Sequence, residues 1–453
     1  MKKREAGPLV TRRELLKAGG AAALGGLAAV GSPRPLAAQS PSKPHAGKTL
    51  NVFSQRLTFT DSAQSQVASF EAKTGIKVKF DVYAEAEARQ KLPLELAGGT
   101  GAFDVTWVSW DDIPKFVRAK WIVPLDPYLK DPNLTGPGEV DLGDFLKIPL
   151  EEGKWDNQLY GLPVFIGTQL FYYRTDIVKK PPETFEELMA TAKEVHNKPI
   201  PAFALRGGRA RGVSVWPFPI FLYGFGGKFF REFPKDLHPA LDSPEAIRAV
   251  EYWVELNSKY GIPNVASAGF DEVLLALAEG KAAMGIEGAP LAARLYDPAR
   301  SKVHDKLGMQ LVPRGPAGRF PPLGCHYWAL PASSKNKEAG WEFIKWAASR
   351  EAQLQGALAT GHIAVTLRSV WQDPAFGKKY NWGGGKFLSL FTESADKGTR
   401  YYWPPLPEWP QVGDRVGIAL SEALTGQKTA AQAMKDAQKE MYEFLKKAGH
   451  YTD

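Results

Sequence analysis

The mature part of the chain alternates short apolar runs with amphipathic stretches from its first element onward. "KTLNVFS" is apolar enough for a strand. "DSAQSQVASFEAKTG" follows, with Asp61 as a cap, apolar residues at Val67 and Phe70, and Gly75 as a stop, so it reads as a helix. "IKVKFDVY" alternates as a strand with one wet face, and "EAEARQKLPLELAGG" returns to a helical pattern, with Pro93 expected to kink or break it. "FDVTWVSW" reads as a buried strand and "DDIPKFVRAK" as the start of a helix. This strand–helix–strand–helix–strand rhythm predicts a doubly wound α/β unit, whose ligands meet the loops at the carboxyl ends of the strands.

Further along, "WDNQLYGLPVFIGTQLFYYRTDI" predicts a short hairpin, a Gly-Pro break and a strand. Thr184 and Glu187 in "PETFEELMATAKEVH" have the spacing of a capping box. The clearest helix is "SPEAIRAVEYWVELNSKYG": Ser243 caps it, Pro244 takes the first turn, and Ile247, Val250, Trp253, Val254 and Leu256 form one stripe with Trp253 in the core. Helices at "FDEVLLALAEG", "LAARLYD" and "NKEAGWEFIKWAAS" and strands at "AAMGIEG", "KLGMQLVP" and "HYWALPAS" follow the same logic. Residues 371–409 read as irregular, and two helices close the chain.

The amino terminus has a different character. "TRRELLKAGGAAALGGLAAV" places Arg12 and Arg13 before an apolar run of about a dozen residues, short of the roughly 20 that span a bilayer. With the small-residue exit at "LAAQS" this is the pattern of a cleaved export signal, of twin-arginine type, over residues 1–38 with cleavage near Ala38. Seven basic residues (Lys2, Lys3, Arg4, Arg12, Arg13, Lys17, Arg34) and two acidic ones (Glu5, Glu14) give this segment +5 of the formal +8, leaving +3. The basic balance is thus largely the signal's, and no nucleic-acid patch is expected. Cys325 is the only cysteine, so no internal disulfide forms; it reads as a small buried hydrophobe. The sequence has no H-E-x-x-H, paired C-x-x-C, G-x-S-x-G or G-x-x-x-x-G-K pattern, and no cofactor is expected.

"FEAKTGIKVKF", "KLPLELAGGTGAFDV", "YGLPVFIGTQLFYYRTDI", "SKNKEAGWEFIKWAASREAQ" and "ALSEALTGQKTAAQAMKDAQKEM" together resemble the extracellular solute-binding proteins of sugar ABC transporters, the family that includes maltose-binding protein. "PPLPEWPQVGDRV" resembles the members that take polyols. The resemblance implies an α/β fold of two lobes, each a sheet flanked by helices, with the ligand cleft at a three-strand hinge. It places the crossovers near Phe165–Gln169, Trp328–Pro331 and Ile363–Thr366. The first lobe is then 48–166 and 331–363, and the second 167–330 and 364–453.

It also nominates a site. Ser54, Gln55 and Arg56 match the family's first ligand loop, and Tyr83 ends the second strand. Trp110 and Asp111 take the sugar-contacting places after "FDV", although Asp111 also suits a helix cap. Trp216, counted back from Gly226-Gly227, is expected to stack on the sugar, with Trp403 as the cover from the C-terminal segment. Where the family often has a Trp after "GS" or "GP", this chain has "GAP"; Glu287 beside it is either a hydroxyl acceptor or a strand-end charge. His326 replaces a usual Trp and either donates to a hydroxyl or is buried and satisfied; Arg368 either reaches the cleft or sits in a surface ion pair. The function implied is binding of a sugar or sugar alcohol by a periplasmic monomer that delivers it to the permease subunits of an ABC importer. Alternatives are a secreted carbohydrate-active enzyme, which would need two carboxylates facing each other such as Asp111 and Glu287, or a sugar-sensing partner of a membrane receptor. Phosphorylated ligands are disfavoured because the nominated loops carry only Arg56 and Arg368 as basic groups.

Overall fold

The computed structural model describes residues 43–399 and 401–451. The export signal and its cleavage point lie outside the described residues. Strands run in chain order as β1 (Thr49–Gln55), β2 (Lys77–Tyr83), β3 (Val105–Ser109), β4 (Lys154–Trp155), β5 (Gln158–Leu159), β6 (Leu162–Gly167) and β7 (Gln169–Arg174). They continue as β8 (Phe203–Ala204), β9 (Phe230–Glu232), β10 (Asp236–Pro239), β11 (Met284–Gly288), β12 (Leu307–Leu311) and β13 (Gly324–Ala329). Two sheets organise the molecule: five strands in the order β2-β1-β3-β13-β6 and four in the order β12-β7-β11-β8. β1 is parallel to β2 and β3, as helical crossovers require, whereas β13 is antiparallel to both β3 and β6. Each sheet is the spine of one lobe.

The chain passes between sheets at Thr168, the single residue separating β6 from β7. It returns between Leu311 and Gly324, because β13 belongs to the five-stranded sheet. That passage lies ahead of the expected Trp328–Pro331 and puts β13 in the five-stranded sheet. Backbone pairing to β3 decides this, and an apolar run such as "CHYWAL" carries no mark of which sheet it will join. The third passage lies along β6: Ala364 C=O accepts from Ile166 N–H at 3.0 Å, Thr366 Oγ1 donates to Pro163 C=O at 2.7 Å, and Gln353 Oε1 accepts from Thr366 N–H at 2.8 Å.

Local signals place most elements. Gly75 ends the helix Thr58–Thr74 at φ +77°, a left-handed cap that glycine takes without steric cost. Asp61 lies within the first turn of that helix rather than at its cap, because the helix starts at Thr58. Thr184 and Glu187 form both halves of the capping box. Pro93 does not break its helix, which runs from Glu85 to Gly98; burial of Ala88, Leu92 and Leu96 offsets the lost backbone hydrogen bond. The stretch expected to be irregular, 371–409, begins at the end of the helix Arg368–Trp371 and holds the helices Pro374–Lys379 and Lys386–Asp396, fastened by contacts among Trp371, Phe376, Tyr380, Trp382, Phe387 and Phe391.

The first lobe's core gathers Phe53, Phe70, Trp107, Trp328 and Phe343, and the second packs Trp253 against Phe218. Trp253 is fully buried, so Trp253→Ala should destabilise the ligand-free protein by about 3 to 5 kcal/mol, read by urea unfolding. An unchanged midpoint would mean that the second lobe's core lies elsewhere. Among the described residues no helix is long and apolar enough to cross a membrane.

Candidate functional site

The carboxyl ends of β1 and β3 and the first turns of the helices Thr58–Thr74 and Glu85–Gly98 form one wall of a cavity of about 240 Å³. The opposite wall comes from Arg206, Gly212, Trp216, Phe270 and the 288–294 turn, all associated with the four-stranded sheet, and Phe165 to Thr168 cross between the walls. The site is therefore where doubly wound sheets place ligands, at the strand ends beside a crossover.

Three indoles line this cavity. Trp110 stacks on Trp403 with ring centres 5.1 Å apart and planes at 21°, and Trp216 meets both edge-on at 5.7 and 5.6 Å. Their placement is built in. Trp110 N–H donates to Cys325 C=O at 3.1 Å, Trp403 Nε1 donates to Val215 C=O at 3.1 Å, and Tyr402 OH donates to Trp216 C=O at 2.6 Å. Gly324 leaves room for them: a Cβ there would stand 2.6 Å from the Trp110 ring and 3.0 Å from the Trp216 ring. Trp110 and Trp403 are buried and stack on each other, so the half-buried Trp216 presents most of the cluster's aromatic surface to the C–H face of a ligand, at little entropic cost.

The polar side of the cavity is a set of guanidinium groups: Arg56, Arg89, Arg206, Arg294 and Arg300. This corrects the expectation of a site poor in basic groups, because helices and turns far apart in sequence converge here. Arg89, Arg206 and Arg300 are paired with carboxylates. Glu287 holds Arg206 through two bonds, Arg206 Nε and Nη2 donating to its carboxylate at 2.7 and 2.6 Å. Arg89 is braced by Glu85 at 3.1 Å, Asp112 at 3.5 Å and Asp111 at 3.6 Å. Arg300 pairs with Asp297 at 3.3 Å, and the fields of Arg294 and Arg56 both act on Asp61, a cavity residue whose carboxyl is raised by partial burial against their pull. Guanidinium donors such as Arg89 and Arg206, fixed by carboxylates behind them, suit a neutral, hydroxyl-bearing ligand, which gains charge-assisted hydrogen bonds without bringing a counter-charge.

Of the nominated residues, Gln55, Arg56, Trp110, Trp216, His326 and Trp403 line this cavity. Gln55 Oε1 and His326 Nδ1 are buried and have no hydrogen-bond partner among the described residues. Burial first, and then the positive field of Arg89, push the His326 imidazole down to about 3, so it is neutral at physiological pH. Because the unfolded chain takes up this proton near pH 6.5 and the folded chain does not, His326 costs stability as pH falls from there towards about 3. His362, pushed down to about 4 by burial, acts in the same sense. We expect His362→Gln to shrink the drop in melting temperature between pH 7 and pH 5; an equal drop in both proteins would refute the assignment.

Five nominated residues do not line the cavity. Ser54 is buried beneath it, bonded to Thr60 Oγ1 at 2.7 Å. Tyr83 stacks on Phe53 at 4.8 Å with the Lys91 ammonium 4.2 Å above its ring. Asp111 and Glu287 are fully buried behind Arg89 and Arg206; Asp111 is not the helix cap, a position held by Asp112, Glu287 is a charge near the end of β11 that pairs with Arg206, and the two do not face each other across the cavity. Arg368 is exposed and donates to Gly143 C=O at 2.9 Å, in a neighbouring groove that shares Trp110 and Trp403 with the cavity. Arg89, Arg206, Arg294, Asp61 and Gly324 were not nominated. A lone Arg on a helix pattern looks like surface, and Gly324 stands two positions before the nominated His326.

Residues 57–354 match the family described as bacterial extracellular solute-binding protein. The chain belongs to that family. It is similar to the mannitol-binding protein of Pseudomonas aeruginosa, 26% identical over 403 residues that cover 84% of this chain and 89% of the relative. It is also similar to the erythritol/L-threitol-binding protein of Mycolicibacterium smegmatis, 26% identical over 73% of this chain and 72% of the relative. Among solved structures, an ABC transporter solute-binding protein from Agrobacterium vitis with bound D-mannitol superposes with a TM-score of 0.78 at 27% identity, over 89% of this chain and 99% of that one. The maltose-bound MalE3 of T. maritima shares the two-lobe fold, with a TM-score of 0.77 at 23% identity over 88% and 99%. These relatives are binding proteins, and the chain is an α/β protein of the same two-lobe kind.

Proposed function

We propose that this solute-binding protein takes one small polyol or monosaccharide in the cavity between its lobes and delivers it to the permease of an ABC importer. The observation that carries the reading is the pairing of three indoles with guanidinium donors, of which Arg89 and Arg206 are held by buried carboxylates behind them: an apolar platform opposite a donor-rich wall. The cavity volume supports a small ligand. About 240 Å³ lies below the ~300–1,000 Å³ of drug-sized sites, which favours a molecule like the mannitol and erythritol of the two polyol-binding relatives over a maltodextrin. Gln55, Arg56, Arg89, Arg206 and His326 are assigned to the hydroxyls and Trp110, Trp216 and Trp403 to the carbon skeleton. The lobes are taken as 48–167 with 324–363 and 168–323 with 364–451, and the working form as a monomer.

The test is a thermal-shift panel of mannitol, ribitol, erythritol and maltose. A stabilising shift with a polyol that exceeds that with maltose is expected, since a ligand of the native state raises the melting temperature by mass action. No shift with any of them, or maltose alone, would overturn the reading.

Export through the twin-arginine route to the periplasm is part of the same proposal and rests on residues 1–38. Changing Arg12 and Arg13 together to Lys should abolish export while the mature chain still folds. Normal export of the double variant would point to another route.

A further inference from the structure

Directly after Trp110 and behind the cavity wall, two adjacent carboxylates are clamped between guanidinium groups of opposite lobes. Asp111 and Asp112 follow β3 in the first lobe. Arg89, from the helix Glu85–Gly98 of the same lobe, approaches Asp111 Oδ1 at 3.6 Å and Asp112 Oδ2 at 3.5 Å. Arg211 approaches the other two oxygens, Asp111 Oδ2 at 3.2 Å and Asp112 Oδ1 at 3.6 Å. Arg211 belongs to the second lobe: it lies on the loop after β8, and its backbone N–H donates to Asp414 in the helix Trp409–Leu424 at 3.3 Å. That helix makes room for its stem at Gly413, where a Cβ would stand 2.8 Å from Arg211 Cγ and Cδ. The Arg211 side chain is only 7% exposed although it has left its own lobe to reach the other.

We infer that Arg211 is a positioning residue that closes the lobes onto the Asp111–Asp112 pair and thereby fixes Arg89 against the ligand. The argument is electrostatic. Two carboxylates side by side in a buried setting repel, and one guanidinium does not neutralise both. Arg211 supplies the second positive charge only when the lobes meet. Asp111, in turn, accepts from Ser109 Oγ and stands between Arg211 and Arg89, so a change at Arg211 is transmitted to a residue lining the cavity. The charged and titratable groups facing the pair are Arg89 and Glu85 from one helix, Lys115 from the next, Arg211 from the opposite lobe and His326 from β13. In this surrounding the Asp112 carboxyl is raised by burial and then by the charge of Asp111. Burial opposes ionisation of Asp111 too, but Arg211 and then Arg89 outweigh it and hold its carboxyl low.

This inference rests on the reading of the cavity as a ligand site, but its central readout does not need a ligand. Spin labels on Lys130→Cys and Lys281→Cys, exposed positions on opposite lobes, report the closed population directly, with Cys325 buried and unlabelled. In Arg211→Met the closed population should fall, and the dissociation constant for whichever probe polyol binds wild type, mannitol or ribitol, should rise about 10- to 100-fold. Arg211→Lys should recover part of the closure. A pH profile separates positioning from mere packing. Without Arg211, closing the lobes raises the affinity of the carboxylate pair for a proton, so closure and binding should weaken as pH rises from about 5 to 8, more steeply than in wild type. Melting temperatures of the variants check that each is folded. Distance distributions of Arg211→Met that superpose on those of wild type, or equal pH profiles, would overturn the role of Arg211. If neither polyol binds wild type, the ligand reading is what fails, and the distance distributions still decide the role of Arg211.

Discussion

Glu287→Ala should destabilise the ligand-free protein by about 3 to 5 kcal/mol and, at temperatures where it remains folded, abolish polyol binding. The carboxylate is fully buried and takes both guanidinium edges of Arg206 at 2.6 and 2.7 Å. Removing it leaves a cation sealed between the Phe270 ring, 5.1 Å from the guanidinium carbon, and the Gly212 carbonyl at 3.1 Å, without its counter-charge. Breaking one side of a buried pair is costlier than losing a surface bridge because the remaining charge is not returned to water. Arg206 lines the cavity, so the same change unfixes a donor aimed at the ligand and breaks the charge balance of the wall. Urea unfolding and calorimetric titration of the variant check both halves. A variant as stable as wild type would mean that Arg206 finds water or another partner, and the balanced-wall argument would fall with it.

Trp216→Ala should weaken polyol binding by about 2 to 4 kcal/mol, the range of the strongest aromatic anchors at interfaces. Trp216 is only half-buried, so a substantial part of its ring is open to a ligand. Unlike a free-standing platform, it also packs edge-on against Trp110, Trp403 and Tyr402. A loss of ~1 to 2 kcal/mol in ligand-free stability is therefore expected as well, since each aromatic pair contributes about 0.5 to 1.5 kcal/mol beyond burial. Titration calorimetry at matched folded fractions separates the two effects. Wild-type affinity in Trp216→Ala would remove the indole cluster from the site.

Asp111 illustrates how the structure changes the meaning of a nominated residue. On a loop after a buried strand, the pair Asp111-Asp112 looks like a hydroxyl acceptor beside a helix cap. Burial between Arg89 and Arg211 makes Asp111 a support for the ligand wall instead, and its truncation should harm stability as well as binding. Tyr83 and Ser54 tell the same story in milder form: both stand at strand ends that lead to the cavity, and both turn into the packing beneath it.

Local chemistry determined much of this protein from the sequence alone. Gly75 as a left-handed cap, the Thr184–Glu187 capping box, the stripe that buries Trp253 and the strand–helix rhythm of the first lobe depend on neighbours within a few residues, and periodicity and backbone preference are written at that range. The order of the family's stretches carried the two-lobe fold and the three indoles as well. Tertiary structure alone decided which sheet takes β13, where the second passage between lobes falls, and which charges meet. Arg89 and Arg294 lie on separate helices and Arg206 and Arg211 on the loop after β8, each an ordinary surface residue in its local pattern. Their roles come from Glu287, Asp111, Asp112 and Asp61, between 22 and 233 positions away in the chain, as with Arg206 and Glu287 at 81. Coulomb pairing is set by distance in space and by the exclusion of water, and neither quantity exists until the lobes are packed.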